Sequence, residues 1–263
     1  MRNTFAIAGK ECRVYLTTWT SYIIFGAFML ITAFFFYRLV AEYQIRSMEF
    51  MQARAQYMIE QMNLTDWIVG PLFMNAAVFF LFMLPILTMR LLAEERRGKT
   101  IELLMTTPVR PIEIVLGKFF GAVAMMTIMV ALTAVFPLLL HAYGSTGGES
   151  ALDWGSVGVS YLGMWLLGVS FVAVGLFASA VTDSQIVAVI IGFAALLLLY
   201  VIGLAGRGEE GVWSAFLGYL SITNHLEGFL RGLIRTTDVV YYVSLAFVGL
   251  FLSTVWVDAQ RWR

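Results

Sequence analysis

Six runs free of Asp, Glu, Lys and Arg constrain this chain more than any other feature: residues 19–37, 67–89, 119–143, 157–181, 184–206 and 239–257. A helix rises about 1.5 Å per residue, so about 20 apolar residues cross a hydrocarbon core about 30 Å thick. Inside such a core every backbone N–H and C=O must be paired, and a helix pairs them within itself. The expected fold is an all-α integral membrane protein with six transmembrane helices. Composition agrees: the 263 residues are 60% hydrophobic and only 13% charged, against about 25% charged in soluble domains.

The rest of the chain divides around these runs. Residues 1–18 place Phe5, Ala8, Cys12, Tyr15 and Leu16 at helical spacing, continued by Trp19, among Arg2, Lys10 and Arg13, which predicts an amphipathic helix on the membrane surface. Residues 19–89 hold the first two spans with a periodic, polar segment, 41–63, between them, read as an external amphipathic helix. Its Met48, Met51, Met58 and Met62 suit adaptable packing better than soft-metal binding. Residues 90–118 form the most charge-dense loop, 119–257 hold spans three to six, and 258–263 are a tail. The uncharged stretch 211–226 is too short to span and contains Gly218, Ser221, Thr223 and Asn224. It reads as an interfacial or re-entrant segment. Pro85 and Pro137 fall inside spans and predict kinks. Helix starts are expected at Thr65-Asp66, at Pro111 with Glu113, at a Thr182–Gln185 capping box and at Thr237-Asp238. Gly117 with Gly121, and Ala188 with Gly192, provide small-residue faces for close helix packing.

Basic residues orient the chain. With six spans, the termini and the 90–118 loop share one side, which carries eleven Lys or Arg against six on the other. The positive-inside rule puts both termini in the cytoplasm.

Several chemistries are excluded or disfavoured. The net charge of zero argues against nucleic acid as a partner. A single cysteine, Cys12, allows no internal disulfide, and no histidine lies on its side of the membrane to activate it. Gly98-Lys99-Thr100 looks like the end of a phosphate-binding loop, but Ala93 stands where that motif needs glycine, and a membrane helix precedes it. No metal site and no catalytic residues are expected. The span centres carry only neutral polar groups, such as Asn75, Thr127, Thr133 and Ser170. That disfavours an ion-coupled carrier, whose mechanism moves charge. His141 and His225 are placed on the external side, without a nucleophile motif.

What remains is the loop. It runs Glu94-Glu95-Arg96-Arg97-Gly98-Lys99-Thr100-Ile101-Glu102-Leu103-Leu104, then Pro108, then Ile114-Val115-Leu116-Gly117-Lys118. A short helix is predicted over 100–105, with Glu102 favoured in its first turn by the helix dipole. This pattern resembles the coupling loop of type-2 ABC exporter permeases, and within them the gliding-motility-type permeases. Residues 64–73, residues 224–232 (with His225, Glu227 and Arg231) and Asp238 to Tyr242 extend the resemblance over essentially the whole chain. Where the family commonly carries Gly-Thr-x-Glu, this chain has the longer Gly-Lys-Thr-Ile-Glu.

The resemblance implies a non-catalytic permease subunit of the bacterial inner membrane. It would pair with a second permease, as a homo- or heterodimer, and with a cytoplasmic ABC ATPase dimer that carries ATP and Mg. The chain itself would bind no cofactor. Glu94 through Thr100 with Glu102, Leu103 and Leu104 would be the ATPase-coupling element. An auxiliary membrane protein with an external domain would meet the segments around 41–63 and 207–238. Two functions fit: ATP-driven export, and mechanical transmission to an external partner without transport.

Overall fold

The computed structural model describes residues 2–53, 63–98, 109–144, 152–205 and 212–260. Among them every regular element is helical: α1 (Arg2–Thr17), α2 (Trp19–Gln52), a π-helical turn (Thr65–Val69) running into α3 (Gly70–Thr88), α4 (Arg90–Arg97), α5 (Pro111–Leu132), α6 (Val135–Gly144), α7 (Trp154–Val181), α8 (Gln185–Ala205), α9 (Val212–Leu220), α10 (Ile222–Leu230) and α11 (Thr236–Gln260). Six stretches are long and apolar enough to cross a membrane: Trp19–Gln52, Thr65–Arg97, Pro111–Gly144, Trp154–Val181, Gln185–Gly203 and Thr236–Gln260. The chain is a multi-pass, all-α membrane protein.

Helix α7 is the hub, packed against α11, α8, α3, α10 and α5. Its most apolar stretch is 72% buried, against 17% for α2. Small residues let the neighbours in. A Cβ on Gly249 of α11 would lie 2.8 Å from the carbonyl carbon of Ala173 in α7, closer than any side chain tolerates. Apolar side chains fill the rest of the core, with Phe28, Phe73, Phe80, Phe171 and Phe229 fully buried. α2 instead turns Ile23, Leu30, Phe34 and Tyr37 outward. Those side chains suit a lipid or protein-facing surface.

Local chemistry sets the boundaries. α5 starts at Pro111, and the Glu113 carboxylate accepts from the Arg110 N–H at 3.2 Å. Pro137 breaks the third span, and the break comes four residues earlier, at Thr133, where the proline ring would crowd the carbonyl. The Thr133 hydroxyl donates to the Val130 carbonyl there. Pro85 lies within α3, which ends at Thr88 and resumes as α4 after Met89. α7 is capped by Asp153, which accepts from the Gly155 N–H at 2.9 Å and from the Ser156 hydroxyl at 2.5 Å. The start of the fifth span differs from the capping-box expectation. α8 begins at Gln185 itself, and Thr182 accepts instead from the Ser184 N–H at 3.2 Å. The expected separate helix over 41–63 is continuous with α2 as far as Gln52, and residues 54–62 lie outside the described residues. α2 therefore extends about 20 Å beyond what a bilayer core needs.

The stretch 211–226 does not form a seventh span. It makes two nine-residue helices, α9 and α10, broken at Ser221, whose hydroxyl caps α10 by accepting from the Asn224 N–H at 3.4 Å. Each is about 13 Å long, less than half a bilayer core.

The bundle has two ends. At one, α1 lies against α5, close to the end of α3, to α4 and to the start of α8; at the other, α10 lies against α3, α7 and α11, and α9 lies against α8 and α10, with its Leu220 carbonyl bonded by Tyr241 of α11.

Candidate functional site

The α1 end is built on a buried lysine. Lys118, on the second turn of α5, is 2% exposed, and its Nζ lies 2.8 Å from Glu11 Oε1 of α1 and 2.9 Å from Glu95 Oε1 of α4. One cation thus joins three helices. A buried charge is tolerated only when paired and hydrogen-bonded, and two carboxylates meet that need. Lys10 stands 3.9 Å from Glu95 at the edge.

Glycines make the approach possible. A Cβ on Gly117 would meet Ile7 Cβ at 2.7 Å and the Thr4 carbonyl at 2.9 Å, and one on Gly121 would meet Glu11 Cβ at 2.6 Å. The Gly117–Gly121 face therefore receives α1. The buried face of α1 is Thr4, Ala8, Glu11 and Tyr15, while Phe5 and Leu16 of the expected apolar stripe stay exposed. The helix is rotated because Glu11 must reach Lys118. Cys12 is half-buried, with Sγ 3.8 Å from the Gly121 carbonyl, and burial, then the Glu11 charge, push its thiol up. Tyr15 donates to the Leu87 carbonyl at 2.7 Å, and burial pushes its phenol well above the ordinary value.

Helix α4 is held on its other side by α7. The Ser179 hydroxyl accepts from the N–H groups of Leu92 and Ala93, both at 3.0 Å, and donates to the Met89 carbonyl at 2.8 Å. It replaces the backbone bonds lost at the α3–α4 break. Arg96 Nε pairs with Asp183 at 2.7 Å, and its Nη1 donates to the Ala180 carbonyl at 2.5 Å. The Gln260 amide oxygen of α11, turned toward Arg96, accepts from it at 3.0 Å. Of the residues expected to meet an ATPase, Glu95 and Arg96 are thus engaged inside the chain, whereas Glu94, Arg97 and Gly98 are exposed. Lys99, Thr100, Glu102, Leu103 and Leu104 lie outside the described residues.

At the other small-residue face, Ala188 is buried, and a Cβ on Gly192 would touch Pro85 Cβ at 3.4 Å and Ala178 Cβ at 3.5 Å. Here α8 meets α3 and α7 in ordinary contact.

The α10 end has its own charged core. His225 Nδ1 lies 2.7 Å from Asp238 Oδ1, and Nε2 lies 2.8 Å from the Tyr219 carbonyl oxygen. Nε2 can donate to the Tyr219 carbonyl while Nδ1 shares a hydrogen bond with the Asp238 carboxyl, so both ring nitrogens are satisfied. Tyr241 stacks on the ring at 4.1 Å and donates to the Leu220 carbonyl at 2.7 Å; Tyr242 donates to the Ile222 carbonyl at 2.9 Å. Asp238 was expected to open the last span. It sits in the first turn of α11, but its carboxylate serves His225 instead. Glu227 and Arg231 are surface residues, 3.9 Å apart one helical turn from each other. They line a groove of about 550 Å³ with Asp66, Pro71 and Met74. His141 meets Trp154 edge-on at 5.4 Å.

The neutral polar groups of the spans turn back on their own helices: Asn75 to the Pro71 carbonyl, Thr127 to Val123 and Ser170 to Leu167. Sequence reasoning missed the Glu11–Lys118–Glu95 cluster and the Ser179 clamp. The signal that could have found the first was a lysine beside the Gly117–Gly121 face at the start of the third span, with a glutamate on the amphipathic first helix.

A search of curated proteins finds no match. The family model described as ABC-2 family transporter protein matches residues 5–256, from α1 through the last span. The chain therefore belongs to the ABC-2 family transporter proteins, as a non-catalytic membrane permease subunit of an ABC transporter.

Proposed function

We propose that this permease couples ATP hydrolysis by a separate cytoplasmic ABC ATPase dimer to export of a substrate. It would work with a second permease subunit, in a bacterial inner membrane, with both termini cytoplasmic. The observation that carries the reading is the anchoring of α4 and the start of α5. A coupling element must push as well as bind, so it needs stiff connections to the spans. Residues 99–108 are flanked by α4, clamped by Ser179 and Arg96, and by α5, tied to α4 and α1 through Lys118. Force applied to residues 94–104 would reach α7, α8, α1 and α5 directly.

The groove between Glu227, Arg231 and Asp66 supports the second reading, mechanical transmission to an auxiliary membrane protein with an external domain. The gliding-motility-type likeness belongs with that reading.

Co-purification and ATPase rate at equal membrane abundance test the coupling assignment. Glu102→Ala and Leu103→Ala should weaken ATPase docking or uncouple it, while Glu149→Ala should do neither. Loop variants that match wild type in assembly and hydrolysis would sink it. The isolated chain should not hydrolyse ATP. Cysteines placed at Glu149 and Glu209 should label only from outside the cell.

A further inference from the structure

Two buried polar atoms without partners belong to residues that line one cavity at the α1 end. Ser21 Oγ and Arg90 Nη2 are each buried and make no hydrogen bond. Ser21 is 2% exposed. Both residues line a cavity of about 170 Å³, with Tyr15, Thr20, Ile24 and Gln185 among its other walls. That volume admits several waters or one tetrahedral oxyanion. An unpartnered guanidinium N–H in a buried place is costly, and it is a donor held ready for an anion.

The surroundings favour negative charge. The cavity lies at the N-terminus of the 34-residue α2, where the helix dipole is positive, although the Ser21 N–H already donates to the Thr18 carbonyl at 3.2 Å. No side chain caps that terminus; the Thr18 hydroxyl donates backwards to the Val14 carbonyl at 2.5 Å. Arg90 is fixed in place, its guanidinium carbon 4.4 Å above the centre of the Tyr15 ring. Tyr15 has committed its proton to Leu87, so it cannot neutralise the site. The single carboxylate in the lining, Glu94, is solvent-exposed and makes no ion pair with Arg90 among the described residues. Water screens its opposition to an anion.

The level in the membrane matters too. Trp19 is 83% exposed and Tyr22 57% exposed on the first turns of α2. Such aromatic residues settle at the headgroup layer, which places the cavity at the depth of lipid phosphates.

We propose that this cavity binds one phosphate-bearing anion, through Arg90, the Ser21 hydroxyl and the N-terminus of α2. A lipid headgroup and free phosphate share the chemistry, so both are probed. The full-length chain in a neutral maltoside micelle would be titrated with short-chain phosphatidylglycerol, read by native mass spectrometry, and separately with inorganic phosphate, read by equilibrium dialysis.

Phosphatidylglycerol should bind at one saturable site. Arg90→Gln should weaken it about tenfold, as loss of a charge-assisted donor does, and Ser21→Ala about threefold. Arg90→Lys should fall between wild type and Arg90→Gln, and Arg97→Gln, on the exposed side of α4, should match wild type. Ser21→Ala removes an oxygen that has no partner, so it leaves the fold intact and keeps the test valid if Arg90 variants unfold. Binding of inorganic phosphate with the same variant pattern, without binding of the lipid, would support the site and assign it to a soluble anion. If neither probe binds, or if Ser21→Ala and Arg90→Gln bind as wild type does, the cavity holds water alone and the proposal is overturned.

Discussion

The two ends of the bundle each bury a cluster of ionisable side chains, but they use it differently. At the α10 end, His225 and Asp238 are 13 residues apart, and the pair closes a short helix onto the beginning of the next span. At the α1 end, Lys118 and Glu11 are 107 residues apart, and Lys118 also reaches Glu95. The first arrangement is a local clasp, reinforced by stacked tyrosines. The second is a junction of three helices, in which α1 is brought from far along the chain onto α4 and α5, the two helices that flank residues 99–108. Loosening a clasp frees one helix; loosening a junction frees the elements that flank residues 99–108. The α1 end is therefore where damage should reach the proposed coupling loop, and the α10 end where it should stay confined to α9 and α10.

The largest effect is expected from Lys118→Met. It leaves Glu11 and Glu95 facing each other in a buried place, and removing one partner of a buried pair costs about 3–5 kcal/mol. The readout is Cys12, shielded by its contact with α5. Its labelling by a maleimide should rise sharply as α1 leaves α5. Slow labelling, equal to that of wild type, would mean that apolar contacts alone hold α1. Gly121→Leu should produce the same rise by a different route, because its side chain would occupy the space of Glu11 Cβ.

The matching change at the other end is Asp238→Asn. It keeps the shape and replaces the carboxyl that bonds His225 by an amide, at a cost of about 1–3 kcal/mol. Proteolysis between α9 and α10 should increase, while Cys12 labelling and ATPase association stay at wild-type levels. A rise in Cys12 labelling would break the distinction between the ends and point to communication through α7, which touches elements at both.

How much of this was legible beforehand follows from the range of each interaction. The spans were legible because burial in lipid removes charge from every residue of a run, a signal that needs no knowledge of neighbours. Pro137 and Pro111 acted through their own rings, so their positions told where helices break or start. His225 and Asp238 stood out as external polar residues, but their pairing did not, because it depends on how α10 folds back. In the sequence Lys118 merely ends the charged loop before a span and Glu11 is one charge on a surface helix; only packing across the Gly117–Gly121 face brings them together. Ser179 looked like one more small residue in an apolar run. Its function comes from the α3–α4 break, which creates the N–H groups it caps. The orientation of Arg96 could not be read either, since an arginine beside a membrane end serves a partner or its own chain with equal ease.

The smallest effect, and the one that calibrates the comparison, belongs to Asp153, outside both charged cores. It caps α7 from an exposed position, and the Ser156 hydroxyl, followed by the Gly155 N–H, holds its carboxyl below the usual carboxylate range. Its folded value lies below its unfolded one, so its contribution is complete above the ordinary aspartate value of about 4 and fades as pH falls through the lower folded value. Asp153→Ala should therefore lower thermal stability slightly at neutral pH, and the gap to wild type should close at pH values below that window. Asp153→Asn keeps a capping oxygen and should lose less. Because α7 packs against α11, α8, α3, α10, α5 and α4, losing the cap should fray its first turn and leave both ends of the bundle in place. Thermal unfolding at neutral and acid pH, with Cys12 labelling as a monitor of the α1 end, measures both. A gap that widens on acidification, or a rise in Cys12 labelling, would show that the start of α7 supports the far junction, and that the two ends are not independent.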